Sequence, residues 1–118
     1  MKFARFLVLT IAIIPTVALA DISGSYSKKN AVAELKQQGK AVEFSINSSV
    51  GQNICELEGV ATMIDENRAA FSPSDKADKC VAVLNLTGGQ LKVTTKDCDS
   101  YCGLNASGSM DGQYKKKK

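Results

Sequence analysis

Apolar and polar residues alternate with a period of two along most of the chain after residue 20, and turn residues interrupt the alternation about every 8 to 12 positions. This period predicts β-strands, because successive side chains of a strand point to opposite faces of a sheet. The clearest case is the segment 41–47, where every second residue is apolar. We predict about eight short strands, at 22–26, 30–36, 41–47, 54–64, 68–71, 80–86, 91–96 and 103–114.

The segment Ala31–Gln38 fits two kinds of secondary structure. Ala31, Ala33 and Leu35 alternate with bulkier or polar residues, as they would in a half-buried strand. The same segment consists largely of Ala, Glu, Leu, Lys and Gln, which all favour a helix. We predict a strand here and keep a short helix as the alternative.

Short strands separated by frequent turns are typical of antiparallel sandwiches and barrels. We therefore predict a single small all-β domain, an antiparallel barrel or sandwich of about eight strands. Gly59 lies in the middle of the longest predicted strand, which indicates a bulge or bend where the sheet curls. Large apolar residues are few, and we expect a barrel of this size to be filled by its own side chains.

Residues 1–20 have the composition of an export signal. Lys2 and Arg5 make the start basic, an apolar run extends from Phe6 to Ala18, and small residues precede residue 21. This order predicts a secretory signal peptide. The apolar run is shorter than the about 20 residues that a membrane span needs, so an uncleaved anchor is the less favoured alternative.

The chain is accordingly expected to have three regions, a signal peptide at 1–20, a disulfide-bonded β domain at 21–114 and a basic tail at 115–118. After processing, the protein is expected to be periplasmic or secreted, with no integral membrane segment. We expect a monomer or weak dimer.

The chain has four cysteines, all in the predicted domain: Cys55, Cys80, Cys98 and Cys102. An even number in an exported protein predicts two disulfides, and sequence alone allows three connectivities. We favour Cys80–Cys102 with Cys55–Cys98, because both bridges would join the final hairpin to the body. The local alternative is Cys98–Cys102 with Cys55–Cys80.

Charged residues are nearly balanced over the predicted domain. Residues 21–114 carry nine basic and twelve acidic side chains, and the last four residues of the chain are lysines. A mildly acidic body without a basic, aromatic-rich face is not the pattern of a nucleic-acid binder. We interpret the lysine tail as a solvated, frayed end, with attraction to anionic envelope polymers as the alternative.

The sequence offers little material for catalysis. The chain contains no His, which excludes Ser-His-Asp and Cys-His machinery as well as a Cys/His zinc site. Glu56 and Glu58 would lie about 7 Å apart on one strand face, a separation that an inverting glycosidase uses. We favour a solvated strand face for them. We expect a protein that is not an enzyme and holds no cofactor and no metal.

Three short motifs stand out in the predicted domain: an early Gly24-Ser25-Tyr26, an apolar strand that follows Cys80 and leads into a hairpin, and Cys102-Gly103 leading to a closing Gly112-Gln113-Tyr114-Lys115. Together they resemble the motifs of small bacterial periplasmic proteins that include inhibitors of invertebrate-type lysozyme. The resemblance implies a protein that binds another protein, a lysozyme. An immunity-type protein against another envelope toxin, or a small-ligand carrier of the miniature lipocalin type, are the alternatives.

Lysozyme inhibitors of this kind insert a Ser-Gly-x-Tyr loop into the cleft of the enzyme, and two strings in the chain resemble it. Ser23-Gly24-Ser25-Tyr26 matches in full, whereas Ser107-Gly108-Ser109-Met110 has Met in place of Tyr. The resemblance implies Ser107 and Gly108 as partner-binding residues, followed by Ser23 and Tyr26. The alternative is that these residues serve only to close the barrel.

Overall fold

The structure is a computed structural model that describes residues 21–117. These residues form eight antiparallel strands and one turn of 3-10 helix. The strands are Gly24–Lys28 (β1), Ala31–Gln38 (β2), Ala41–Val50 (β3), Asn53–Met63 (β4), Arg68–Phe71 (β5), Val81–Thr87 (β6), Gln90–Lys96 (β7) and Gly112–Lys116 (β8). The 3-10 turn, Asp99–Tyr101, lies between β7 and β8. The predicted signal peptide lies outside the described residues.

The eight strands form a closed barrel. Each strand pairs with the next one along the chain, and β8 pairs with β1 through Tyr26 opposite Lys116 and Ser27 opposite Lys115. The predicted all-β class with about eight strands is confirmed, and of the two predicted architectures the barrel is observed. Within residues 21–117 every strand has a neighbour on both sides, although β5 pairs only with the end of β4, at Thr62 and Met63.

The ambiguous segment Ala31–Gln38 is a strand over its whole length. It pairs with β3 from Ala31 opposite Ser48 to Gln38 opposite Ala41. Its three alternating apolar residues are buried, so pairing and burial outweigh the helix propensity of the segment. The strand interpretation is confirmed.

The last predicted strand, 103–114, is wrong over most of its length. Only Gly112–Lys116 pairs as β8, and residues 97–111 form a connection. Successive backbone turns occupy this connection, and Gly108 has a φ of +84°, which interrupts an extended backbone. At its other end β8 continues through Lys116, into the segment predicted as a solvated tail.

Side chains fill the interior of the barrel. Two tyrosines, Tyr26 and Tyr114, are its largest fully buried residues, and aliphatic side chains pack around them. Met110, just before β8, and Ile22, just before β1, are also fully buried. Because two phenol rings occupy the lumen, the small residues elsewhere in the wall do not leave an open core.

Gly59 accommodates an aromatic ring and makes no bulge. The register of β3 and β4 is regular through the pair Phe44 and Gly59, so of the predicted bulge or bend the bulge is wrong. A Cβ at Gly59 would lie 2.5 Å from Cε1 of Phe71, whose ring covers the glycine. The Phe44 and Phe71 rings pack edge to face with centroids 5.1 Å apart.

The observed disulfides are Cys55–Cys102 and Cys80–Cys98. The favoured pairing, Cys80–Cys102 with Cys55–Cys98, is therefore wrong, as is its local alternative. Cys80 immediately precedes β6, Cys98 follows the end of β7 after one residue, and their Cα atoms lie 4.4 Å apart. Cys102 instead lies opposite Cys55 in an isolated bridge to β4, with Cα atoms 3.9 Å apart.

Candidate binding loop

The connection between β7 and β8, residues 97–111, is the longest in the described part of the chain. In an up-and-down barrel, alternate connections lie at the same end, so this loop shares one end with the β1–β2, β3–β4 and β5–β6 connections. We call this end the loop end. Ser107 and Gly108 lie in the loop, whereas Ser23 precedes β1 at the opposite end. The structure therefore separates the two pairs of predicted partner-binding residues.

The first part of the loop is fastened to β4. The Cys55–Cys102 disulfide makes the covalent connection, and the next residue, Gly103, donates its N–H to the carbonyl of Ile54 at 2.8 Å. Gly103 also packs tightly on Asn53, because a Cβ there would lie 3.0 Å from Oδ1 of Asn53. Three consecutive residues of β4 thus hold the start of the loop.

The middle of the loop is held by its own turns and by one buried side chain. Ala106 is fully buried, and its N–H donates to the carbonyl of Gly103 at 3.0 Å. Ser109 donates its N–H to the carbonyl of Ala106 at 2.9 Å, and its hydroxyl lies 2.6 Å from that of Ser48 on β3. The loop is therefore anchored at its start, middle and end.

Between these anchors the loop presents its polar and apolar side chains to solvent. Leu104 is 94% exposed, the highest value for a large apolar side chain among the described residues. Asn105, Ser107 and Gly108 are exposed as well. Because Leu104 is almost fully exposed on a fastened loop, its side chain is available for contact with another molecule.

Ser23 and Tyr26 have structural partners in the barrel wall. The backbone N–H of Gln37 on β2 donates to the Ser23 hydroxyl oxygen at 2.7 Å. The Tyr26 side chain is fully buried, and its hydroxyl donates to the carbonyl of Ile22 at 2.8 Å. Burial raises the pKa of Tyr26. The Ser-Gly-x-Tyr string at the start of the domain thus directs its aromatic ring into the core.

The end of β8 repeats this arrangement. Tyr114 is fully buried and donates its hydroxyl to the carbonyl of Met110 at 2.7 Å, again four residues earlier. Asp111, at the position equivalent to Ser23, accepts the N–H of Thr95 at 2.9 Å. The two Gly-x-Tyr strings share a longer form that a search for Gly and Tyr alone does not reveal: each has an apolar residue two positions before Gly and a Lys two positions after Tyr.

The outer face of β2, β3 and β4 is acidic. Glu56 and Glu58 are exposed there, in agreement with the predicted solvated strand face. Strand register places Glu58 opposite Ser45, which in turn lies opposite Glu34. Glu43 is the fourth glutamate of this surface, and the three strands contain one basic residue, Lys36. We call this surface the acidic face.

A second set of carboxylates lies in the connections at the loop end. Tyr101 donates its hydroxyl to the Asp78 carboxylate, which holds the pKa of that carboxyl below its ordinary value and raises the pKa of the tyrosine. This bond ties the β5–β6 connection to the 3-10 turn. Within residues 21–117, no cluster of three Cys, Asp or Glu side chains has a geometry that could hold a metal ion.

None of the helical segments in residues 21–117 is long and apolar enough to cross a membrane. No family model, curated protein or solved structure matches the chain. The fastened loop and the distribution of charge are the features from which a function can be argued.

Proposed function

We propose that this chain is an exported, non-catalytic binding protein that inhibits a cell-wall hydrolase of the lysozyme type by placing the β7–β8 loop in its cleft. The observation that carries the proposal is the position of Leu104, exposed at 94% on a loop that a disulfide and a buried alanine hold in place. A loop ordered before binding loses little conformational entropy in the complex.

The exposed side chains of the loop fit a cleft that normally binds a polysaccharide. Such clefts combine apolar walls with a few polar groups that fix the orientation of the ligand. Leu104 would pack on an apolar wall, while the Asn105 amide and the Ser107 hydroxyl would bond to polar groups beside it. The Ser107 hydroxyl is also suited to donate to a catalytic carboxylate, of which lysozyme-type hydrolases have two.

Charge supports the same kind of partner. The acidic face reaches β4, and Glu56 directly follows Cys55, the residue that fastens the loop. A basic hydrolase approaching the protein would be attracted toward this side of the barrel. The attraction acts mainly on the association rate and decreases with salt.

The two disulfides support export to an oxidising compartment, either periplasmic or extracellular. The filled interior weighs against a carrier of small ligands, because Tyr26 and Tyr114 occupy the lumen that such a ligand would need. An immunity-type protein would use the same loop against another toxin, and the experiment below distinguishes that alternative.

The test is lysis of bacterial cell walls by chicken-, goose- and invertebrate-type lysozymes, with and without the purified disulfide-bonded protein. We expect near-stoichiometric loss of activity with one type. Leu104→Ser should weaken that inhibition about tenfold or more, as loss of a buried apolar anchor does. The matched control is Ile64→Ser, which removes a large apolar side chain that is 54% exposed at the opposite end of the barrel.

No effect of the protein on any of the three enzymes would refute lysozyme inhibition and leave the immunity-type alternative. Inhibition that Leu104→Ser and Ile64→Ser reduce equally would refute the assignment of the loop as the contact surface.

A further inference from the structure

We propose that the wall of the barrel opposite the acidic face docks the protein onto an anionic phospholipid surface. This wall consists of the neighbouring strands β6, β7, β8 and β1. None of these four strands contains an Asp or Glu. We define the lysine wall by the lysines of β7 and β8 that alternate with buried residues and point outward, Lys92, Lys96 and Lys115, together with Lys117, which follows β8.

Strand register brings these side chains onto one surface. Lys92 lies opposite Gln113, two residues before Lys115, so the two lysines are diagonal neighbours with backbones about 7 to 8 Å apart. Leu91 and Tyr114, the residues beside them in sequence, are buried, which directs both lysine side chains outward.

The end of the chain adds to the same surface. Lys117 donates its backbone N–H to the carbonyl of Ser25 on β1 at 2.7 Å. Lys115 lies between Gln90 of β7 and Ser27 of β1. Lys115 and Lys117 are therefore part of the wall, and their charges add to those of Lys92 and Lys96.

The charges of the lysine wall are not neutralised by the protein. The ion pair found among residues 21–117 joins Arg68 to Asp65, neither of which belongs to the strands of the wall. No lysine of the wall lies within salt-bridge distance of a carboxylate in that part of the chain. Since the acidic face carries four glutamates and one lysine, the barrel has a positive and a negative side. An anionic surface would therefore orient the molecule as well as attract it.

The chemistry of the wall favours lipid headgroups over nucleic acid. The four strands contain two aromatic residues, Tyr26 and Tyr114. Both are fully buried, so the wall has no exposed ring on which a base could stack. All its cations are lysines, which act as mobile point charges, whereas arginine is the residue that recognises phosphate in a fixed bidentate geometry. A convex wall of lysines suits a diffuse layer of mobile anionic headgroups.

In this orientation the acidic face would point away from the lipid, and the loop end would lie at the side of the bound molecule. The membrane would therefore not cover Leu104 or Glu56. The docking requires no hydrolase and is tested without one, so its failure and the failure of lysozyme inhibition are separate results.

The test is co-sedimentation of the purified disulfide-bonded protein with lipid vesicles. We expect binding to phosphatidylcholine vesicles that contain about 30 mol% phosphatidylglycerol, little binding to phosphatidylcholine alone, and loss of binding as salt rises well above about 0.15 M. Replacing Lys92, Lys96, Lys115 and Lys117 by Gln should weaken binding about tenfold or more, since each lysine near an anionic surface contributes.

The matched control replaces four exposed lysines outside the wall, Lys36, Lys40, Lys76 and Lys79, by Gln. It changes the net charge by the same amount, and it should weaken binding by no more than about threefold, through the long-range field alone. Equal losses in the two variants would overturn the assignment of the wall. Absence of binding to the anionic vesicles, or stronger binding to DNA at the same phosphate concentration, would overturn the lipid surface as the partner.

Discussion

Tyr26 and Tyr114 occupy equivalent positions on the two strands that close the barrel. Each ring is buried in the lumen, and each hydroxyl donates to the carbonyl four residues earlier. The pair Ser27 and Lys115 lies between them in the β1–β8 ladder, so a local two-fold axis at this pair relates the two tyrosines. The seam of the barrel, where β1 pairs with β8, therefore contains the same arrangement twice: a buried Tyr whose hydroxyl bonds to the carbonyl four residues earlier.

Removing either phenol hydroxyl should destabilise the barrel. Tyr26→Phe and Tyr114→Phe each leave a buried carbonyl without its donor, which costs about 1–3 kcal/mol in the free energy of unfolding. Urea denaturation followed by circular dichroism measures the change. Tyr101→Phe is the control, because its hydroxyl bonds to a side chain near solvent, and it should change stability much less. Seam variants as stable as the unmodified protein would show that the two bonds are dispensable.

The same burial predicts a limit to stability at high pH. Burial raises the pKa of Tyr26 and Tyr114 above the ordinary value of 10.0. The folded state therefore favours the neutral phenol, and this contribution is complete below pH 10 and decreases as pH rises above it. We expect tyrosinate absorbance to rise together with the loss of native circular dichroism. Complete ionisation of all three tyrosines in a folded barrel would contradict this expectation.

Gly59→Ala should be costly despite the small size of the added methyl group. The new Cβ would lie 2.5 Å from the Phe71 ring, so the ring or the strand must move. Overpacking of this kind costs about 1–3 kcal/mol in the free energy of unfolding. Val60→Ala, at the exposed neighbouring position, is the control and should cost far less.

A double-mutant cycle identifies the cause of that loss. Gly59→Ala should cost clearly less in a Phe71→Ala background, because the clashing ring is then absent. Equal costs in the two backgrounds would assign the effect to the backbone of β4 instead of the ring. Thermal unfolding of the four proteins supplies the measurement.

The two disulfides should contribute unequally to stability. Cys55–Cys102 closes a separation of 47 residues and Cys80–Cys98 one of 18. The chain-entropy model gives about 4 kcal/mol for the longer loop and about 3 kcal/mol for the shorter one. Replacing each pair by Ser and comparing denaturation midpoints tests this order, and a larger loss from the short loop would contradict it.

Peptide mapping under non-reducing conditions tests the pairing itself. Trypsin alone leaves Cys98 and Cys102 on one peptide, because no Lys or Arg lies between them. Additional cleavage after Tyr101 separates them, and the expected products join Cys80 to Cys98 and Cys55 to Cys102. A peptide joining Cys80 to Cys102 would restore the pairing that the sequence suggested.

The strands were predictable because their side chains alternate, and the errors arose where a contact distant in sequence decides the outcome. Phe71 determines the role of Gly59, and no local pattern indicates that its ring lies over that glycine. Cys55 similarly determines where Cys102 is held, and thus turns the expected strand at 103–111 into a fastened loop.

One disulfide did have a usable signal in the sequence. A two-residue Gly88-Gly89 turn pairs Thr87 with Gln90, and counting outward along both strands brings Val81 opposite Lys96. Cys80 lies one residue before Val81 and Cys98 two residues after Lys96, close enough in register to suggest the bond that joins them. Of the predicted binding residues, Ser107 and Gly108 are exposed. Tyr26 is buried because β1 pairs with β8 to close the barrel, and the local sequence Ser23–Tyr26 does not reveal that pairing.

Pairing of the first strand with the last has a consequence for how the molecule is made. Residues 24–28 find their second neighbour only when residues 112–116 are present, at the other end of the barrel sequence. Such a contact is the slowest kind to form, because the whole intervening chain must be ordered to bring its ends together. A nascent chain that lacks β8 has two open edges, and the barrel can close only after residues 112–116 have left the ribosome.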